Sequence, residues 1–137
     1  MRKRVLFICT SNSARSQIAE ALVNHDLGEH FEAFSAGTDP KSVHPLALRV
    51  LSEIGIDHRA ARSKSIDEFA GQDFDYVITL CAAANETCPL FFGGVRRLHF
   101  GFEDPAKAAG SEDEKLTVFR RVRDEIRAQV EGFLNRR

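Results

Sequence analysis

The feature that most constrains this chain is the stretch Val5-Leu6-Phe7-Ile8-Cys9-Thr10-Ser11-Asn12-Ser13-Ala14-Arg15-Ser16. Its unbroken apolar run reads as a buried strand, and a thiol sits where that strand ends. Small turn-forming residues follow, and Gln17-Ile18-Ala19-Glu20-Ala21-Leu22-Val23 then reads as a helix. A strand that stops at a small polar loop and opens a helix leaves backbone N–H groups pointing into that loop. The helix dipole adds partial positive charge at the same place, so the loop is a natural cradle for an oxyanion. Cys9 at its base and Arg15 six positions on separate it from an ordinary phosphate site. The anion is held for attack by sulfur.

The remaining bounds are those of an ordinary globular protein. A chain of 137 residues, 43% hydrophobic and 28% charged, is long enough to bury a core and is expected to form one domain over residues 1–137. A net charge of −1 argues against nucleic acid or a membrane surface as partner, since either calls for a basic excess. No apolar run has the length of a membrane span, and Met1-Arg2-Lys3-Arg4 leads straight into a strand with no signal-peptide core, so a cytoplasmic protein is expected. In that compartment three cysteines are not a disulfide framework; they are buried small residues or chemistry. Nothing in the pattern calls for an oligomer, and a monomer is expected.

Strands alternate with helices along the chain. Phe31 to Ala36 reads as a second strand closed by Gly37. Pro45 to Ile54 has helical spacing, with Pro45 in the first turn and Gly55 past the end. Residues 57–66 are a polar, basic loop, followed by a short helical turn near Ile66–Phe69. Phe74 to Leu80 is the clearest strand after the first and, like it, ends at a cysteine, Cys81. Cys81 to Gly94 reads as a short helix or loop, Val95 to Phe100 as a last strand, and Gly101 to Pro105 as a turn. Residues 106–114 read as a polar, mobile stretch, and Leu116 to Leu134 as a long terminal helix. The alternation implies an α/β fold with a parallel sheet and right-handed crossovers, in which ligands bind beyond the carboxyl ends of the strands. Cys9, Cys81 and the Asp104 turn all follow strands, so they converge on one edge.

The chemistry of the loop follows from its residue types. A thiol, with an ordinary pKa of about 8.5, attacks as the thiolate, which a helix N-terminus, a guanidinium and a nearby hydroxyl all favour. Ser16 is the nearest candidate hydroxyl, with Ser13 and Thr10 behind it. Arg15 can clasp two oxygens of a tetrahedral anion, and Asn12 suits the left-handed conformation that turns successive N–H groups inward. The oxyanion-binding set is therefore Thr10, Ser11, Asn12, Ser13, Ala14, Arg15 and Ser16. A strand-end thiol and an exposed helix arginine would share the spacing, but the strand, loop and helix around them favour chemistry. Expelling an oxygen needs a proton, and Asp104 in its Asp-Pro turn is the candidate donor, although such dipeptides are commonly simple turns.

Cys81 and Cys88 decide between two reactions. A phosphatase needs one thiol. Reducing an oxyanion takes two electrons, which one disulfide supplies. If Cys81 attacks a Cys9–anion adduct, the reduced anion leaves and a Cys9–Cys81 disulfide forms; Cys88 can then attack Cys81, free Cys9 and pass the disulfide outward. On an intact helix seven residues separate two Cα atoms by about 10 Å, whereas a disulfide needs about 7 Å or less, so the 81–88 segment must loop out. Pro89 and Gly93-Gly94 offer hinges. The cysteines lack zinc-site spacing and the five histidines are scattered, so no metal site is expected.

With these residues in view, the chain resembles the arsenate reductases of the low-molecular-weight tyrosine phosphatase fold, in their thioredoxin-coupled branch. The resemblance rests on Cys9 through Gln17, Ser35-Ala36-Gly37, Val77 through Cys81, Cys88-Pro89, Gly101 through Pro105 and Arg121 through Ile126, and spans nearly the whole chain. It implies a three-layer fold with a four-stranded parallel sheet flanked by helices, arsenate as substrate, and a role in arsenic detoxification. It also implies Cys9 as nucleophile, Arg15 as oxyanion clamp, Cys81 and Cys88 as thiol relay and Asp104 as proton donor. No cofactor is implied beyond an external thiol reductant; thioredoxin is expected, with glutaredoxin and low-molecular-weight thiols as the other donors this chemistry admits. Two departures stand out. Ala14 occupies a position where some relatives carry a further cysteine. Some members also bind potassium through residues matching Asn12, Glu20 and Ser35, completed by an aspartate that aligns with Lys64 here. The Lys64 ammonium is then expected to stand where the cation would, with a solvated loop lysine as the plain alternative.

Two other readings remain on the sequence alone. A phosphatase on the same loop would hydrolyse phosphate monoesters through a phosphocysteine, but Ala106 after Asp104-Pro105 is no aromatic wall for a phenyl ring. An anion-binding redox sensor would form the Cys81–Cys88 disulfide without releasing reduced product.

Overall fold

A computed structural model describes residues 2–80 and 96–136. In chain order it places β1 (Lys3–Cys9), α1 (Arg15–Asp26), β2 (Phe31–Gly37), α2 (Pro45–Ser52), a 3-10 turn (Ile66–Phe69), β3 (Tyr76–Thr79) and β4 (Arg96–His99). A second 3-10 turn (Pro105–Lys107) precedes α3 (Glu112–Ile126), which runs on through a π turn (Arg127–Glu131) into a last helical turn (Gly132–Asn135). The strands form one parallel four-stranded sheet in the order β2-β1-β3-β4.

The apolar run of the sequence becomes the sheet's centre. Val5, Leu6, Phe7 and Ile8 are all 0% exposed, as expected for a parallel strand covered on both faces. Chain order reverses direction between β1 and β3, which sends β2 and β3 to opposite sides of β1. That reversal opens a crevice at the carboxyl ends of the strands, and Cys9 sits in it. β4 is an edge strand of exposed, basic residues, a composition that discourages pairing with another chain.

One layer is formed by α1, α2 and α3, which contact one another. Ser35 on β2 bonds to Glu20 on α1, so Phe34, one residue earlier, faces the other side. There it packs edge-on against Phe69 and Phe74, at 5.9 and 5.8 Å between ring centroids, with the Arg4 guanidinium over both Phe34 and Phe74.

Element boundaries differ from the expectations in physically interpretable ways. The helix after the loop begins at Arg15, because the loop itself turns the chain into helical geometry. The stretch 106–114 is more ordered than its polarity suggests. Ser111 and Glu114 form a reciprocal capping box, the Ser111 N–H donating to Glu114 at 2.9 Å and the Glu114 N–H to Ser111 at 3.2 Å, so α3 starts at Glu112. The single helix expected to Leu134 is interrupted by the π turn, which brings Arg127 onto Asp26 at 2.9 and 3.0 Å. Cys81, Cys88, Pro89 and Gly93-Gly94 lie outside the described residues.

Candidate active site

The loop between β1 and α1 is pinned from outside by its carbonyl groups. Thr38 N–H donates to Cys9 O at 3.2 Å, Asp39 to Thr10 O at 2.8 Å, Lys41 to Ser11 O at 2.9 Å and His44 to Ser13 O at 3.0 Å. Ser63 Oγ also donates to Ser11 O, at 2.9 Å. The carbonyls, which would repel an anion, are thus turned to these partners and away from the cavity. Asn12 supplies the required bend, with φ of 49°, the one left-handed non-glycine residue among those described. Gly37 makes the close approach possible: a Cβ there would stand 2.6 Å from Thr10 O and 2.9 Å from Asn12 N.

Cys9 is 2% exposed, with its Sγ 2.9 Å from Ser16 Oγ. Ser16 Oγ in turn accepts from Asn12 Nδ2 at 2.7 Å. The serine's own hydrogen is then left to be donated to the sulfur. Asn12 is held on its other side, where Oδ1 accepts from Gln17 Nε2 at 3.0 Å and from the Lys64 backbone N–H at 2.8 Å.

Above the thiol, a cavity of about 70 Å³ is lined by Cys9, Ser11, Ser13, Ala14, Arg15, Lys41, Asp104 and Ala106. That is several times the roughly 10–15 Å³ a cavity needs to hold one water, room for a small tetrahedral anion. Arg15 is 9% exposed; its Nη1 donates to Phe102 O at 3.2 Å and its Nη2 lies 3.5 Å from Asp104 Oδ2. Asp104 Oδ1 accepts from Ala106 N–H at 3.0 Å, which caps the 3-10 turn and fixes the carboxyl at the cavity wall. An incoming anion therefore meets a guanidinium already aimed by a carbonyl and a carboxyl group.

The structure brings Cys9, Arg15, Asp104 and the loop residues 10–16 to one edge. Leu80, the last described residue before Cys81, lies against β1, donating its N–H to Ile8 O at 2.8 Å. Cys81 and Cys88 themselves fall outside the described residues. Of the loop-supporting set, Ser35 Oγ donates to Glu20 at 2.6 Å, and Lys64 Nζ lies 3.8 Å from Glu20 while donating to Arg62 O at 3.0 Å. Burial pushes the Lys64 pKa down and the Glu20 charge opposes that push. Sequence reasoning passed over Lys41, which lines the cavity and pairs with Asp39 at 3.1 Å, and also Gln17, His58 and the Phe102 carbonyl. The contacts of Gln17 with Arg62, of His58 with Gln17 and of the Phe102 carbonyl with Arg15 cross from one segment to another, and no local pattern marks them.

A thiol at the floor of a small cavity, at the switch point of a parallel sheet, is an arrangement in which a bound oxyanion could meet sulfur. The chain belongs to the low molecular weight phosphotyrosine protein phosphatase family, whose model matches residues 4–136. It is 45% identical over 134 residues to an arsenate reductase of Halalkalibacterium halodurans, covering 97% of this chain and 96% of that one. Among solved structures it is similar to an arsenate reductase in the phosphate binding state, at a TM-score of 0.84 and 31% identity over 98% of both chains. It is also similar to a thioredoxin-dependent arsenate reductase of Corynebacterium glutamicum, at a TM-score of 0.70 and 29% identity over 99% of this chain and 64% of that one.

Proposed function

We propose that this protein reduces arsenate to arsenite, with Cys9 as nucleophile and thioredoxin as electron donor. The observation that carries the reading is the hydrogen-bonded Cys9 sulfur beneath an anion-sized cavity that also holds Arg15 and Asp104, in a chain whose relatives are arsenate reductases. Cys9 attacks the arsenic of bound arsenate, an oxygen leaves as water on taking up protons, and Asp104 supplies one of them. Arg15 and the loop N–H groups hold the remaining oxygens. Cys81 then attacks the Cys9 sulfur. The S–As bond breaks with its electron pair passing to arsenic, arsenite departs, and a Cys9–Cys81 disulfide remains. Cys88 attacks Cys81 and releases Cys9 as a thiolate; the Cys81–Cys88 disulfide is reduced by the thioredoxin dithiol. No cofactor is required, because the two electrons come from thiols throughout.

The same reading gives the Lys64 ammonium the place of a loop-steadying cation beside Glu20. Added potassium should then leave turnover and melting temperature unchanged, and a marked rise in either would remove Lys64 from this role. Among the described residues no helix is long and apolar enough to cross a membrane. We place the protein in the cytoplasm as a monomer, where thioredoxin keeps its thiols reduced.

The test is arsenite production from arsenate with thioredoxin, its reductase and NADPH. Wild type should turn over many times, Cys88→Ser should stop after about one turnover, and Cys9→Ser should make none. Phosphate-monoester hydrolysis that survives Cys81→Ser, with no arsenite from wild type under any thiol donor, would make the phosphatase reading correct instead.

A further inference from the structure

We propose that His58 is a positioning residue for the Cys9 nucleophile, acting through the side-chain amide of Gln17. The inference rests on Cys9 being the nucleophile of the reaction above. It starts from the orientation of one amide. Gln17 is 0% exposed, and its Nε2 faces three oxygens: Asn12 O at 3.2 Å, Asn12 Oδ1 at 3.0 Å and Arg62 O at 3.0 Å. Turned the other way, the amide would set its own oxygen against all three, so the nitrogen must point there and Oε1 must point to His58. His58 Nε2 lies 2.7 Å from that Oε1, and since Oε1 can only accept, the histidine nitrogen carries the hydrogen and donates it.

Donor and acceptor capacity fixes every following link in the same way. Asn12 Oδ1 takes hydrogens from Gln17 and from the Lys64 N–H, so Asn12 Nδ2 must be the group facing Ser16 Oγ. Ser16 Oγ, having accepted there, has its hydrogen to give to Cys9 Sγ at 2.9 Å. The chain His58→Gln17→Asn12→Ser16→Cys9 therefore has all its donors aimed at the sulfur. Successive bonds of this kind polarise one another, and the end of the chain stabilises negative charge on the thiol. His58 is the far anchor: without its hydrogen, Gln17 Oε1 loses its partner and the buried amide loses the contact that selects its orientation. Burial holds the His58 ring toward its neutral form against the pull of Glu20 and Asp57, with Lys64 also disfavouring the charged ring. Neutral or charged, the Nε2 hydrogen is present, so the anchor holds in either form.

The experiment is the pH profile of iodoacetamide alkylation at Cys9 in the full chain, read by mass at the Cys9 peptide. It uses no arsenate and is separable from the reaction. His58→Phe removes the donor and keeps the ring; the profile should move to higher pH, with a rate about fivefold lower on its rising limb and the same plateau, the size of one lost hydrogen bond. His58→Gln, whose amide can donate to the same oxygen, should restore the wild-type profile. If the effect runs through Gln17, adding His58→Phe to Gln17→Met should slow alkylation no further than Gln17→Met alone. Should His58→Phe fail to fold, as judged by thermal melting, His58→Ala takes its place in both comparisons. An unchanged profile in a folded His58 variant, failure of His58→Gln to rescue, or multiplying effects in the double variant would each overturn the proposal. A shifted profile in a protein that makes no arsenite would leave the positioning role standing and remove only the reaction.

Discussion

The two ends of α1 bury polar groups in opposite styles. At its N-terminal end, Asn12, Ser16 and Gln17 are each 0% exposed and each is hydrogen-bonded to a neighbour in one directed chain. At its C-terminal end, Asp26 meets Arg127, His25 and Glu131 beside the π turn, and Glu131 Oε2 is a buried oxygen with no partner among the described residues. Burial, aided by a hydrogen bond to Asp26, pushes the Glu131 pKa up to about 8. For Asp26 burial pushes upward, but hydrogen bonds to Glu131, His25 and Arg127 prevail and bring its pKa down to about 2. A network with every member paired holds the Cys9 sulfur in one orientation, whereas a corner with one orphaned oxygen stores a cost that pH can expose.

Substitutions at three positions probe this contrast. The largest effect should come at the cavity itself, where Arg15→Lys keeps the charge but loses the fork that meets Phe102 O and Asp104. Arsenite production under saturating thioredoxin should fall about 100-fold, with little change in melting temperature. Next is the hub of the paired network. Asn12→Ala strips partners from Ser16, Gln17 and the Lys64 N–H, and should cost about 2–3 kcal/mol in urea unfolding. Asn12→Gly should recover only the part due to the φ of 49°, which separates the backbone's share from the amide's. An equal loss in both variants would mean that the side-chain bonds account for all of it.

The smallest effect belongs to the unsatisfied corner. Glu131 holds its proton more tightly folded, near pH 8, than unfolded, where an ordinary Glu titrates at 4.5. Its contribution to stability is therefore complete below about pH 4.5 and is lost as pH rises toward 8. Asp26 has the opposite sign: its contribution is present above 3.8 and is lost as pH falls toward 2. Glu131→Gln keeps the shape and removes the rising-pH loss. Its unfolding free energy should gain on wild type as pH rises from 5 toward 8 and level off above that, reaching about 1 kcal/mol once the partly buried carboxyl is discounted for solvent screening. A constant offset across that range would show that the Glu131 pKa is not raised in the folded protein.

Much of the site was legible along the chain because its signals are local. Cys9, the small loop, Arg15 and the helix that follows are contiguous, and periodicity placed β1, β2, α2 and the terminal helix close to where they lie. The capping box at Ser111 was there to be read, Ser followed by Glu three positions on, but the polar composition of 106–114 masked it. The π turn had no such signal, since its residues continue a helical pattern.

What the sequence by itself determined is the loop from Cys9 to Ser16 and the order of strands and helices along the chain, because these depend on residues within a turn or two of one another. What only the tertiary structure decided is how the loop is held. Phe102 O reaches Arg15 across 87 positions, Lys64 N–H reaches Asn12 across 52, and His58 reaches Gln17 across 41. Each is a single polar contact between distant segments, worth about 1 kcal/mol, and leaves no period or motif in the chain. It exists only once the sheet has fixed where those segments pass.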